Sequence, residues 1–213
     1  MEGERLSGCQ LMTQIALQLD VRGSAGPVRI VTGSANRAAV EALAAPESWP
    51  FRAAVLVGPE RSGKSLLARW FAENGAGEAI DDAHRADETD VFHAWNRAQQ
   101  GGAPLLLTAR PGWRPALPDL ASRLGGSLQL AIQPPDDAMI ADLIAAHAEQ
   151  RRLALGEGAA AYLAPRIERS HAAIEAVIDA IDRLSLERQA PATMSVWRDA
   201  LEAVQGPEQG RLL

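Results

Sequence analysis

The sequence holds a single cysteine, Cys9, so no disulfide can form within the chain, and a reducing, cytoplasmic setting fits. It has no apolar run near the ~18 residues that mark a membrane-spanning helix. The amino terminus lacks a basic segment followed by an apolar one, so no secretory signal is expected. Positive charge is not in excess. A net charge of −6 and a pI near 5.3 argue against a broad DNA-binding face, while leaving room for a local basic patch. The four histidines, His84, His93, His147 and His171, are scattered without HExxH or Cys/His ligand spacing, which speaks against a zinc site. His84 follows Asp82 and reads as a surface loop residue, with contact to a site as the alternative. Aromatic residues are sparse, at 4%. Trp70, Trp95 and Trp197 fall on apolar helix faces and read as packing, not as platforms for stacking bases. Trp49 and Trp113 sit in loops beside prolines.

What is present is ordinary for a globular protein: 213 residues, 47% hydrophobic and 23% charged. That length suits one sizeable domain, or a core with a small satellite. Residues 1–22 are expected to be a flexible tail, with 1–11 an extension upstream of Met12. Within it, "MTQIALQLD" (12–20) alternates apolar and polar residues. That period suits a first core strand or an extended peptide offered to a partner. From 23 to 134 the pattern alternates strand and helix. "AAVLVG" (53–58) is a strand, and an amphipathic helix follows Lys64. "GEAIDD" (77–82) is a thin strand ending in acids. "DETDVFHAWNRAQQGG" (87–102) is a helix stopped at Gly101, "APLLLTAR" (103–110) a buried strand, "LPDLASRLGG" (117–126) a short helix and "SLQLAI" (127–132) a last strand. This order predicts an α/β fold, three-layered around a parallel sheet. Residues 135–205 read as all helix, with starts at Asp136, Ser170 and Thr193 and a break near Pro165. The Glu/Arg-rich face of the helix after Ser170 reads as solvated, and 206–213 as a tail.

Gly58, Gly63, Lys64 and Ser65 match G-x-x-x-x-G-K-[ST] between the first strong strand and its helix. This is the phosphate loop, in which glycines let backbone N–H groups turn inward around phosphates. Lys64 then reaches the β- and γ-oxygens, the Ser65 hydroxyl binds Mg²⁺ and the helix N-terminus adds a favourable field. Pro59, Ser62 and Leu66 complete the expected nucleotide-binding set. A nucleoside triphosphatase also needs an acid at the end of a neighbouring strand to hold Mg²⁺. "AIDD" offers Asp81 for the metal and Asp82 for orienting an attacking water; the plainer reading is a solvated turn or a helix cap.

These pieces, in this order, resemble the AAA+ module of the bacterial replication initiator DnaA, and more closely its short Hda-type paralogues, the regulatory inactivators of DnaA. "LPDLASRL" is the most specific piece of the resemblance, which covers about residues 14–204. The expected fold is an AAA+ P-loop core with a small helical lid. The initiator carries a DNA-binding domain after its lid, and "QGPEQGRLL" is too short for one, so no direct specific DNA contact is expected. Hda-type proteins carry a clamp-binding hexapeptide, which "QIALQL" resembles through Gln14, Ile15, Leu17 and Leu19, with Gln18 in place of proline.

The resemblance implies a cytoplasmic negative regulator of replication initiation. Its partners would be DnaA and the DNA-loaded sliding clamp, the DNA polymerase III beta subunit, with no membrane involvement and a homodimer left open. It would bind ADP or ATP with Mg²⁺ and promote hydrolysis of the ATP on DnaA. Arg123 would be the arginine finger offered in trans. From the residues alone, Arg123 equally suits capping its own short helix beside Gly125.

The chain departs from the pattern in three places. Only fifteen residues separate Ser65 from Asp81, so the sheet is expected to be one strand short. Arg110 stands at a position that resembles an acidic one, and Ala172 stands where the lid arginine is expected, with Arg169 about a turn away. Weak turnover of the protein's own nucleotide follows. A self-sufficient P-loop ATPase and a nucleotide-independent AAA+ adaptor are the competing readings.

Overall fold

The computed structural model describes residues 20–23 and 26–206. The stretch expected to bind a clamp, Gln14 to Leu19, lies outside the described residues. The described chain opens with two paired antiparallel strands, β1 (Asp20–Gly23) and β2 (Gly26–Arg29), with Asp20 opposite Arg29. This pairing takes in the last three residues of the stretch expected as a tail, 1–22. Pairing with residues 26–29 satisfies backbone groups that a tail would leave to water.

Helix α1 (Arg37–Leu43) follows, then two single 3₁₀ turns, β3 (Ala53–Val57), α2 (Lys64–Glu73) and β4 (Glu78–Ile80). After a 3₁₀ turn at Ala83–Arg85 come α3 (Glu88–Gln99), β5 (Leu105–Ala109), α4 (Pro118–Gly126) and β6 (Leu128–Ala131). The four core strands pair in parallel, in the order β4-β5-β3-β6. The short interval after Ser65 holds only α2 and β4, in keeping with the expected short sheet.

The central strands show why this sheet is buried on both faces. Ala54 and Leu56 of β3 pack with Leu67, Ala68 and Phe71 of α2, while Ala53 and Val55 pack with Val91 and Trp95 of α3 and Leu120 of α4. Successive side chains point to opposite faces, so a near-continuous apolar run is what a two-sided parallel sheet requires. Trp49, in the loop between the two 3₁₀ turns as expected, is buried. It stacks on Phe71 at 5.2 Å, and its Nε1 donates to the Ala42 carbonyl at 2.8 Å. Gly77 is required where α2 turns into β4: a Cβ there would meet the Pro104 carbonyl oxygen at 2.2 Å.

The helical lid comprises α5 (Asp137–Gln150), α6 (Ala159–Leu163), α7 (His171–Arg188) and α8 (Met194–Gln205). Its own core joins Ile140 and Ile144 to Leu163, Ile174, Val177, Ile178, Trp197 and Ala200. Asp136 caps α5 by accepting from the Met139 N–H at 2.9 Å, and Ser170 caps α7 by accepting from Ala173 at 3.1 Å. Thr193 sits at the expected start of α8, but its hydroxyl meets Ser195 instead of capping the backbone. Among the described residues, no helix is long and apolar enough to cross a membrane.

Candidate nucleotide site between core and lid

The phosphate loop leaves the C-terminal end of β3 and runs into α2. Gly63, at φ 87°, is the N-cap of α2, a left-handed conformation that glycine adopts freely. No side chain caps α2 and its first turn holds no acid, so its first backbone N–H groups are free for an anion. The Ser62 hydroxyl is buried without a hydrogen-bond partner. These are donors an oxyanion would satisfy, and the loop therefore fits a nucleotide's phosphates. Lys64 Nζ donates to the carbonyls of Gly58 (2.8 Å) and Pro59 (2.7 Å). Burial holds the Lys64 pKa below its ordinary value, opposed by the charges of Asp82, Asp81 and Glu60.

The acids arrive where expected, just beyond the end of β4. Thr108, fully buried at the end of β5, holds both in place. Its Oγ1 donates to an Asp81 carboxylate oxygen and accepts from the Asp82 N–H at 2.9 Å. Asp82 adopts φ 51°, a costly conformation for a residue with a Cβ. It makes no cap bond to the following 3₁₀ turn, which removes the helix-cap reading of that residue.

One cleft joins Gly58, Ser65, Leu66, Lys64 and Asp82, and Arg61, Arg69, Arg85 and Arg110 also line it. This is the local basic patch that the acidic overall charge leaves room for. Arg110 thus adds positive charge to this cleft.

Several lining residues escape sequence reasoning. The side chain of His84 is only 8% exposed and its Nδ1 is 3.9 Å from Asp82 Oδ1, so it is not a surface loop residue. His147 and His171 line an adjoining slot beside Ser62 and Gly63. Glu175 of α7 is not merely solvated: it pairs with Arg61 of the phosphate loop at 2.8 Å and with Arg151 at 3.7 Å, tying lid to loop. Charge periodicity cannot reveal such a pair, because its partners are 114 positions apart. His171 did leave a signal, since it opens α7 one position before Ala172. Ala172 itself is exposed, and Arg169 pairs with Asp137 at 2.9 Å.

Arg123 lies outside this cleft, on the α3–α4 face. Its guanidinium sits over the rings of Phe92 (4.8 Å) and Trp95 (4.7 Å) and donates to Asn96 Oδ1 at 3.1 Å. The end of α4 is capped by others: Gln129 Nε2 bonds the Leu124 carbonyl, and the Ser127 hydroxyl bonds the Arg123 carbonyl. Arg123 is therefore not the cap of its own helix.

No protein-family model matches the chain. Solved structures do. Domain III of the replication initiation protein DnaA from Thermotoga maritima superposes with TM-score 0.68 at 15% identity, over 84% of this chain and 95% of that one. The chain has a DnaA-like AAA+ fold. AMPPCP-bound DnaA from Aquifex aeolicus follows at TM-score 0.56 and 18% identity, over 75% of this chain and 66% of that one. The RuvB Holliday junction branch migration motor of Thermotoga maritima matches at 0.58 and 17%, over 83% and 72%. The AAA+ fold accounts for the division into a P-loop core and a helical region, with the loop, Asp82 and the lid meeting at one cleft.

Proposed function

We propose that this protein is an Hda-type regulator of replication initiation. It binds ADP or ATP in the cleft between core and lid, docks on the DNA-loaded sliding clamp through Gln14, Ile15, Leu17 and Leu19, and offers Arg123 to the ATP of a DnaA molecule. The observation that carries this reading is the placement of Arg123. It is half-buried, positioned by two rings and Asn96, free of capping duty and remote from its own chain's phosphate loop. A cation placed outside its own cleft is one that a neighbour's nucleotide can meet. In the best-studied GTPases such a finger is worth about 10³–10⁵ in rate.

In the protein's own cleft, Ser65 and Asp81 would hold Mg²⁺, whose charge would offset that of the phosphates. Lys64, Gly63 and the first turn of α2 bind and orient the phosphates. Asp82 stands by for a water. Ala172 supplies no lid cation, so the protein's own turnover is slow. The complete phosphate loop, with Asp81 and Asp82 held by Thr108, favours a nucleotide-binding protein over a nucleotide-free adaptor. The same arrangement supports a second reading, a self-sufficient ATPase.

A three-component assay with DnaA–ATP, DNA-loaded clamp and this protein tests the proposal. Arg123→Ala should keep clamp binding and abolish stimulated hydrolysis; undiminished stimulation refutes the finger. Turnover by the protein alone, lost in Lys64→Ala, would instead establish the ATPase reading.

A further inference from the structure

Arg61 stands inside the phosphate loop at φ 61°, a left-handed backbone that is costly for a residue with a Cβ. Glycine would take that conformation freely, so the side chain is what the position gains. Among the described residues, the polar partner of its guanidinium is Glu175 of the lid, at 2.8 Å. Strain kept for one contact points to a use for that contact.

Glu175 is built to hold. Ile174 and Ile178 of the same helix are fully buried in the lid core, so the carboxylate cannot move far from Arg61 unless α7 moves. Arg151, at the C-terminal end of α5, stands 3.7 Å from the same Glu175 oxygen and is itself fixed by Asp179 at 2.7 Å. Thus α5 and α7 both support one carboxylate, whose side chain is 20% exposed against 63% for Arg61. Both partners line the cleft that holds Lys64, Ser65 and Asp82. The polarity is the reverse of a lid cation reaching down to phosphates. Ala172 brings no charge, and three positions on, along the same face of α7, Glu175 brings an anion to the loop's own cation.

We propose that the Arg61–Glu175 pair is a latch that closes the lid on the phosphate loop and sets the rate of nucleotide exchange without setting the affinity. This rests on the nucleotide reading of the cleft given above. With the pair closed, lid and loop must part before a nucleotide passes between them. Breaking the pair lowers that barrier in both directions, so association and dissociation quicken together. An ion pair with an exposed partner shifts such an opening by about two- to fivefold. Two independent charges would behave otherwise: losing the anion would tighten phosphate binding, and losing the cation would loosen it.

The test is stopped-flow binding and release of N-methylanthraniloyl-ADP, a fluorescent ADP. Glu175→Gln and Arg61→Gly should each raise both rate constants about two- to fivefold, with Kd within about twofold of wild type. The double variant should be no faster than either single one, as expected for two halves of one contact. Unchanged rates, slower release in Glu175→Gln, opposite shifts in Kd, or effects that multiply in the double variant overturn the latch. A second readout needs no nucleotide. Amide hydrogen exchange of residues 60–63 and of the first turn of α7 should quicken in Glu175→Gln, and unchanged exchange overturns the latch as well. Wild-type protein that binds no ADP overturns the phosphate-site reading instead, and the hydrogen exchange then still decides whether the pair holds the lid.

Discussion

Replacing Thr108 with valine tests whether β5 organises the acids. The side chain is fully buried and one oxygen serves both aspartates, donating to Asp81 and accepting from the Asp82 N–H. Valine keeps the shape and deletes both bonds. The Asp82 N–H is part-buried, and its loss should cost about 1 kcal/mol. The bond to Asp81 is charge-assisted, but Asp81 is exposed and water replaces much of it, leaving about 0.5–1 kcal/mol. The sum is about 1.5–2 kcal/mol, or roughly 3–8 °C in Tm for a chain of this size. Thr108→Ser keeps both bonds and gives up a buried methyl, about 1 kcal/mol. Stability alone separates these variants poorly, so the decisive assay is ADP affinity with and without Mg²⁺. Loss of an orienting partner to a metal ligand typically costs 10–100-fold. Thr108→Val should therefore lose about tenfold of the Mg²⁺-dependent gain in affinity, and Thr108→Ser almost none. An unchanged Mg²⁺ effect in the valine variant, or its loss in the serine variant, would refute the reasoning.

Two further outcomes follow from the packing and the titrating groups. Gly77→Ala drives a methyl into the Pro104 carbonyl and the Phe71 ring, and backbone cannot yield as a flexible side chain can. Calorimetry should show a loss of about 2–3 kcal/mol, and a Tm within a degree of wild type would contradict the close approach. His147 and His171 both have pKa values lowered chiefly by burial. An unfolded histidine takes its proton near pH 6.5 and the folded ones only at lower pH, so the unfolded chain binds more protons in that window. The urea midpoint should therefore fall as pH drops from 7.5 to 5.5, and replacing both residues with leucine should flatten that slope. Asp87, Asp136 and Asp199, with pKa values lowered by hydrogen bonds, act only nearer pH 4 and below, and there stability is lost on further acidification.

How much was legible depends on the range of the forces involved. Caps act over three residues, so Asp136 and Ser170 could be read from the sequence and are found bonded to Met139 and Ala173. Gly101 at φ 87°, just past α3, is equally local. Thr193 shows the limit: its place was legible, but its hydroxyl had another partner within reach. The strand at Asp20–Gly23 escaped notice because "DVRG" is polar, ends in glycine and has one apolar residue, Val21, so it carries no strand period.

By itself the sequence determined the chemistry that spacing can encode. The residues from Gly58 to Ser65 commit the chain to a phosphate loop, since backbone N–H groups, lysine and hydroxyl must fall within one turn. The alternation of apolar runs determined a two-sided parallel sheet and a helical lid. Only the tertiary structure decided what faces the loop across the cleft. It joined Glu175 to Arg61 and turned an unpartnered His171 into the slot. It also removed the helix-cap alternative for Arg123, whose guanidinium lies over two rings on another face. The reason is physical: a cap or a loop is closed by neighbours in the chain, whereas a pocket is closed by elements that only packing brings together.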